Sequence, residues 1–309
     1  MVERLNHSKD DRHPAAQAAA VSSLSSQVPS TNQGTNSVRG TWDSEGEAGR
    51  HQLLQAESGE GTSRPESILQ RLERIAEQAR QYPDMQFTTL AHLLDVPMLE
   101  RAFWSLNPKS AAGVDRVTWQ DYKRNLETNL EELHKRLKDD TYRPQPVERR
   151  WIPKSNGKLR PLGLPALEDK VVAKAVALLL EQIYEQDFYD FSFGFRAGKS
   201  CHDASHQVRQ ELLELGITCV IDCDISSFFD NLEHDTLISL LQQRVNDGRL
   251  LKIIRRMLEA GIMDGKDLVF PEKGSPQGSV ISPLLGMCIY TKCWTSGLRK
   301  WSYLIAVAA

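Results

Sequence analysis

The longest apolar run in this chain, Val171–Leu180, carries Lys174 near its start and is about half the length that a membrane span requires. It is therefore expected to be a helix buried in a soluble domain. Val172, Val176, Leu179 and Ile183 recur at helical spacing, which predicts the helix over about Glu168 to Glu185. A buried helix needs elements to cover it. The 309 residues, 40% apolar and 26% charged, suffice for one large domain or two small ones.

Not all of the chain can take part. Residues 1–65 are rich in Ser, Gln, Gly, Glu and Ala, with Trp42 as their only aromatic. They cannot bury enough apolar surface to offset the entropy of ordering, so they are expected to form a disordered tail. The first twenty residues are too polar for a signal peptide. Order is expected from Pro65, where Ile68, Leu69, Leu72 and Ile75 fall on one helical face. A second helix is predicted around Pro97–Leu106, with Asp95 near its start. After the loop Ser110–Asp115 a third begins at Thr118, with Asp121 in capping-box position and Leu126, Leu130, Leu133 and Leu137 as its core stripe. Further helices are predicted at Glu233–Val245 and Arg249–Ala260. A hairpin is expected at Asp264-Gly265, and a helix entered through Ser282 as N-cap with Pro283 at its first position. Cys201, Cys219, Cys223, Cys288 and Cys293 are an odd set without C-x-x-C spacing, as expected of reduced thiols in a cytoplasmic protein.

The net charge of −3 requires any nucleic-acid-binding surface to be local. The segment Thr141–Arg160 is such a place. It holds Arg143, Arg149, Arg150, Lys154, Lys158 and Arg160 against Glu148, a net charge of +5. Asn156-Gly157 between two strand-like runs predicts a basic β-hairpin. Charge of this kind suits either a phosphate-binding arm or a plain solvated surface.

Cys219–Asp224 reads as a strand whose alternation puts Cys219, Ile221 and Cys223 on one face and Asp222 and Asp224 on the other. Two carboxylates side by side suit a hard cation such as Mg²⁺, or else mark an exposed sheet edge. Phe228 and Phe229 follow, either as the floor of a nucleotide pocket or as core, with Asp230 then capping the next helix.

Four blocks together carry a resemblance. They are Lys158-Leu-Arg-Pro-Leu-Gly-Leu-Pro165, Ser192-Phe-Gly-Phe-Arg-Ala-Gly-Lys-Ser-Cys-His-Asp203, Asp224-Ile-Ser-Ser-Phe-Phe-Asp-Asn-Leu-Glu-His234 and Ser275-Pro-Gln-Gly-Ser-Val-Ile-Ser-Pro-Leu-Leu285. In this order they resemble the fingers and palm blocks of group II intron-encoded reverse transcriptase/maturases, and Phe87–Tyr122 resembles that family's N-terminal extension. The likeness covers about residues 85–290. It implies an α+β fold: right-hand polymerase fingers and a partial palm, helix-rich, with the basic hairpin and an incomplete antiparallel palm sheet. The implied domains are a tail (1–65), the N-terminal extension (66–125), fingers (126–218), partial palm (219–290) and a divergent C-terminal tail (291–309).

The resemblance also implies roles. Asp224 would be the first catalytic carboxylate and bind Mg²⁺, with the Ile225 carbonyl as a further ligand. Lys154 and Arg160 would fold over the incoming triphosphate. Phe229 would screen the sugar 2′ side, and Gln277 would contact the nucleotide. Phe193, Phe195 and Arg196 would lie along the template RNA. The activity implied is RNA-directed DNA synthesis with two Mg²⁺ ions, an intron RNA template, a DNA primer and dNTPs, without a membrane. That chemistry needs a second carboxylate set, which the family carries in a Tyr-x-Asp-Asp motif. Here the Asp-Asp pairs are Asp10-Asp11 and Asp139-Asp140, both upstream of Asp224. The chain therefore reads as a fragment expected to be inactive by itself unless a companion polypeptide completes the palm. Two rival readings are a non-catalytic intron-RNA-binding fragment and a degraded reading frame. The fingers part, about Pro65–Ser200, is expected to fold on its own local contacts.

Overall fold

The computed structural model describes residues 66–294 except 154–156, 158, 217–219, 221–224, 226 and 276–277. The expected tail over 1–65 and the expected strand Cys219–Asp224 therefore lie outside the described residues. The order is helix α1 (Ile68–Gln81), α2 (Val96–Trp104), α3 (Trp119–Lys123), α4 (Leu126–Lys138), strands β1 (Val147–Pro153) and β2 (Leu159–Leu164), then α5 (Leu167–Tyr184) and α6 (Cys201–Glu214). After these come α7 (His234–Gln242), α8 (Gly248–Leu258), β3 (Ile262–Asp264), β4 (Asp267–Val269) and α9 (Ser282–Ile289). Among the described residues no helix is long and apolar enough to cross a membrane. Cys201 and Cys288 are free thiols.

The helix starts follow from their capping residues. Ser67 and Gln70 form a capping box on α1, Thr118 and Asp121 another on α3, and the Asp95 side chain accepts from Met98 N at the start of α2. Three expectations change. On α1 the inward face is Leu72, Ile75 and Ala79, and Leu69 is 51% exposed, because one residue past Ile68 is a rotation of about 100°. The helix expected to run on from Thr118 is two helices, broken at Asn125 (φ −123°, ψ 40°), with the Asn129 amide donating to the Tyr122 carbonyl across the break. Ser282 is the first residue of α9 rather than its cap. Its buried hydroxyl lies 2.5 Å from that of Ser275, and Ile281 occupies the cap position without a side-chain bond.

Helix α5 sits at the centre, with α1, α2 and α9 packed on it, and buries Val171, Val172, Val176, Leu179, Leu180 and Ile183. Its N-terminus holds two buried charged residues, each with a tether. Asp169 accepts from the Tyr142 hydroxyl (2.6 Å) and from Gln145 N (2.9 Å), and the Lys170 ammonium donates to the Ala111 carbonyl (2.5 Å). The loop before β1 and the loop after α2 are thus fixed to one helix end.

The two hairpins do not stay separate. They join into one mixed sheet of order β2-β1-β3-β4, with antiparallel pairs at each side and a parallel pair in the middle, Val147↔Ile262 and Glu148↔Met263. This brings Asp264 to 3.1 Å from Arg149, while Glu148, buried, pairs with Arg150 at 2.7 Å and Arg116 at 3.1 Å.

Nor does the fold divide near residue 200. The core that contains α1, α2, α4 and α5 continues through Leu237, Leu241, Ile254, Leu285 and Cys288. At the centre of this continuity is Arg244, whose side chain is 2% exposed. It pairs with Asp187 (2.8 Å) and donates to the carbonyls of Ala79, Tyr82 and Met85. A fingers fragment ending near residue 200 would leave this face of α1 and α5 uncovered.

Replacing Arg244 by Ala strands Asp187 and three carbonyls, and is expected to cost about 3–5 kcal/mol. Urea unfolding measures it, and a loss below about 1 kcal/mol would show that α7 is held by apolar packing instead. Burial raises the Asp169 carboxyl to about 6, so folding favours its protonated form. Its stabilising contribution is complete below the ordinary value of 3.8 and is lost as pH rises through about 6. Relative to Asp169→Asn, the native chain should lose on the order of 3 kcal/mol between pH 4 and 7. A difference that stays constant over that range would place the Asp169 proton elsewhere.

Candidate active site

The chain leaves the segment containing Asp224 at Ile225, whose side chain is 38% exposed, and turns sharply at Ser227 (φ 50°). The Ser227 carbonyl accepts from the N–H groups of Asp230 and Asn231 and closes a short 3₁₀ turn over Phe229–Asn231. Phe228 and Phe229 meet edge to face at 5.3 Å and are both half-buried, so they are neither sealed core nor free surface. Asp230 stays exposed and caps nothing. The cap position of α7 is Glu233, without a side-chain bond.

The loop before α9 is bonded onto this turn. Ser275 N donates to the Phe229 carbonyl at 2.8 Å, and Gly274 N donates to the Leu232 carbonyl at 2.7 Å. His234, buried at the start of α7, places Nε2 2.7 Å from the Gly274 carbonyl, so that nitrogen carries the proton. The loop is also seated against the basic hairpin. Gly278 has φ 105°, and a Cβ there would lie 2.5 Å from the Gly163 carbonyl oxygen and 2.9 Å from the Leu162 side chain. A glycine is required on both counts, strain and space. Below this contact a cavity of about 20 Å³, room for one water, separates Val147, Asp169 and Ala173 from Ser279 and Val280.

Three sequence blocks are thus brought to one place: the aromatic turn, the Ser275–Ser282 loop and the root of the hairpin. Arg160 is exposed on the edge strand β2, opposite Ile152, and has no ion pair among the described residues. Asp224, Asp222, Lys154, Lys158 and Gln277 lie outside the described residues, as does Pro276 beside Gln277. At the hairpin root Arg149 is paired with Asp264, and Arg150 shares Glu148 with Arg116. Counting charge along the sequence could not find Asp264, which arrives through the parallel strand pair. His234 closed the Asp224 block in the sequence but carried no role there. Gly278 and Gly163 stood inside recognised blocks without a contact to explain them.

The loop between α5 and α6 presents another arrangement. Phe195 is 65% exposed at φ 57°, in the left-handed region. Arg196 does not reach outward. Its guanidinium pairs with Glu185 (2.9 Å), donates to the carbonyls of Tyr189 and Ser192, and lies 5.4 Å from the Phe188 ring centre. Phe193 is half-buried under the Lys199 ammonium, 4.9 Å from its ring centre. Arg196 therefore holds the loop shape that exposes Phe195. Among the described residues no group of three or more His, Cys, Asp or Glu side chains is gathered to hold a metal.

The sequence pattern of the family described as "Reverse transcriptase (RNA-dependent DNA polymerase)" matches residues 152–300. Protein YkfC of Escherichia coli is 37% identical over 219 residues, 69% of this chain and 58% of that protein. The group II intron-encoded protein LtrA of Lactococcus lactis subsp. cremoris is 36% identical over 216 residues, 69% of this chain and 36% of that protein. An uncharacterized 91 kDa protein in the cob intron of Schizosaccharomyces pombe is 31% identical over 231 residues, 73% of this chain and 28% of that protein. The chain thus spans less than two thirds of the length of each of these relatives.

Proposed function

The chain belongs to the reverse transcriptase family, on its group II intron-encoded branch, and from that premise we propose that it forms the nucleotide-facing front of an RNA-directed DNA polymerase. The observation that carries this reading is the bonding of the Phe229–His234 turn to Gly274 and Ser275, together with the close approach of Gly278 to the hairpin root at Gly163. Each segment holds one part of a nucleotide pocket. Arg160, with Lys154, meets the triphosphate from the edge of the hairpin. Phe229 forms the floor beneath the sugar, and Gln277 contacts the nucleotide. Phe195 stacks on a template base, with Phe193 behind it and Arg196 as the residue that shapes the loop.

Divalent ions are general to the family. In this chain Asp224 and the Ile225 carbonyl would hold Mg²⁺ through hard oxygen donors, and the ion would supply electrophilic assistance to phosphoryl transfer. The proposed division is an N-terminal extension over 66–125, fingers over 126–218 and a partial palm over 219–290, flanked by tails at 1–65 and 291–309. The divisions are functional, since one core runs through all three ordered parts. The substrates are an intron RNA template, a DNA primer and dNTPs. Residues 1–309 contain no Tyr-x-Asp-Asp motif, so the second carboxylate set that this reaction needs would come from outside them.

Two experiments test this reading. In primer extension on an RNA template with dNTPs and Mg²⁺, this chain alone should give no product. Extension by the chain alone that Asp224→Ala abolishes would show that it holds a complete carboxylate set. Binding to a structured RNA should weaken with salt. The triple change of Lys154, Lys158 and Arg160 to Ala should reduce the slope of log affinity against log salt by roughly 2, at about 0.7 per single-strand phosphate contact. An unchanged slope would leave the hairpin as ordinary surface.

A further inference from the structure

Helix α9 carries Gly286 in its middle, fully packed on both sides by Leu284, Leu285, Met287 and Cys288 of the core. A helix interior ordinarily disfavours glycine against alanine. The contact that answers this is with the aromatic turn. A Cβ on Gly286 would lie 3.0 Å from Phe229 Cε1, 3.4 Å from Phe229 Cζ and 3.1 Å from Phe228 Cε1. Both rings therefore rest on the bare backbone of Gly286.

The surroundings decide what a methyl group at this place would move. Leu285 N donates to the Ile281 carbonyl at 3.1 Å, and the flanking leucines are in the core, so α9 cannot recede. The Phe229 main chain is held as well, by Ser275 N on its carbonyl at 2.8 Å and by the Ser227 turn. What can yield are the two half-buried rings, Phe228 and Phe229, which meet edge to face, and of the two it is Phe229 that touches the added methyl with two ring atoms. Pressure from α9 tips the ring toward its open side.

We propose that Gly286 is a specificity-determining residue: it sets how far the Phe229 ring recedes, and thereby the room left at the 2′ carbon of a bound nucleotide. The inference rests on the reading of Phe229 as the sugar-facing floor. It assigns to glycine at this position a pocket one methyl group deeper than alanine would leave.

The test measures binding of dATP and of ATP to the full chain in Mg²⁺, by displacement of a fluorescent nucleotide, and reads the ratio of the two dissociation constants. Gly286→Ala should favour dATP over ATP more than the native chain does, by roughly 3- to 10-fold, less than the worth of a whole methylene in a tight pocket. Phe229→Ala should bring the ratio toward 1. The double variant should show the Phe229→Ala ratio, since without the ring the methyl has nothing to push. A merely structural role for Gly286 would shift both affinities together and leave the ratio alone. Thermal unfolding of Gly286→Ala checks that α9 is intact, and the greater helix propensity of alanine favours that outcome. If Phe229→Ala changes the ratio and Gly286→Ala does not, the inference is overturned and the reading of Phe229 stands. If Phe229→Ala changes nothing, or neither nucleotide binds, the reading of the pocket is itself overturned, and this inference with it.

Discussion

The buried guanidinium of Arg244 is the interaction on which the arrangement of this chain depends. A cation out of water is tolerated only where acceptors surround it. Here they come from chain segments up to 165 positions away: Asp187 beyond the end of α5, and the carbonyls of Ala79, Tyr82 and Met85 at the end of α1. The backbone on either side of Val245 adds hydrogen bonds to Phe87 in both directions. The C-terminal end of α7 is thereby fixed. Its N-terminal end carries His234, which holds Gly274, and the neighbouring Ser275 holds Phe229. A charge buried far from the aromatic turn thus governs where that turn sits.

A second constraint is the parallel pairing of β1 with β3. It is short, two residue pairs, yet it decides the electrostatics of the hairpin. Glu148 at its centre is buried and meets Arg116 and Arg150, and Asp264 meets Arg149 and the Trp151 indole N–H. Among the described residues of the hairpin strands, Arg160 is left without an ion pair. A neutralised root suits a part that must stay packed against the Gly278 loop.

What could be read in the sequence, and what could not, follows the range of the interactions. The capping box at Thr118, the Asp264-Gly265 hairpin, the buried face of α5 and the stripe Leu130, Leu133 and Leu137 depend on residues a few positions apart, and they stand where the pattern puts them. Two misses are local, the outward Leu69 and the break at Asn125, and the others join residues further apart. Nothing local joins β1 to β3, ties Ser282 to Ser275 or turns Arg196 inward to Glu185. The core that residues 65–200 share with α7, α8 and α9 was hidden for the same reason, since Arg244 has no local signature. The candidate site was legible as blocks, because its chemistry is carried by short motifs. Their mutual placement was not, because it rests on the carbonyls of Gly163, Phe229 and Gly274, which any residue type would supply.

Phe195 shows how a local cost can point to a contact. An aromatic residue in the left-handed region is uncommon, and such a conformation costs on the order of 1–3 kcal/mol unless the surroundings impose it. The imposition is visible: the Arg196 guanidinium, bonded to Glu185 and to two carbonyls of the same loop, leaves the chain no relaxed path between Ser192 and Ala197. The product of that constraint is a phenyl ring 65% exposed, which also forfeits its burial. Folding stability favours neither feature. A ring held rigidly outward does serve stacking, where pre-ordering reduces the entropy lost on binding and every base presents a π face. The Lys199 ammonium over the neighbouring Phe193 adds a positive charge beside the same loop.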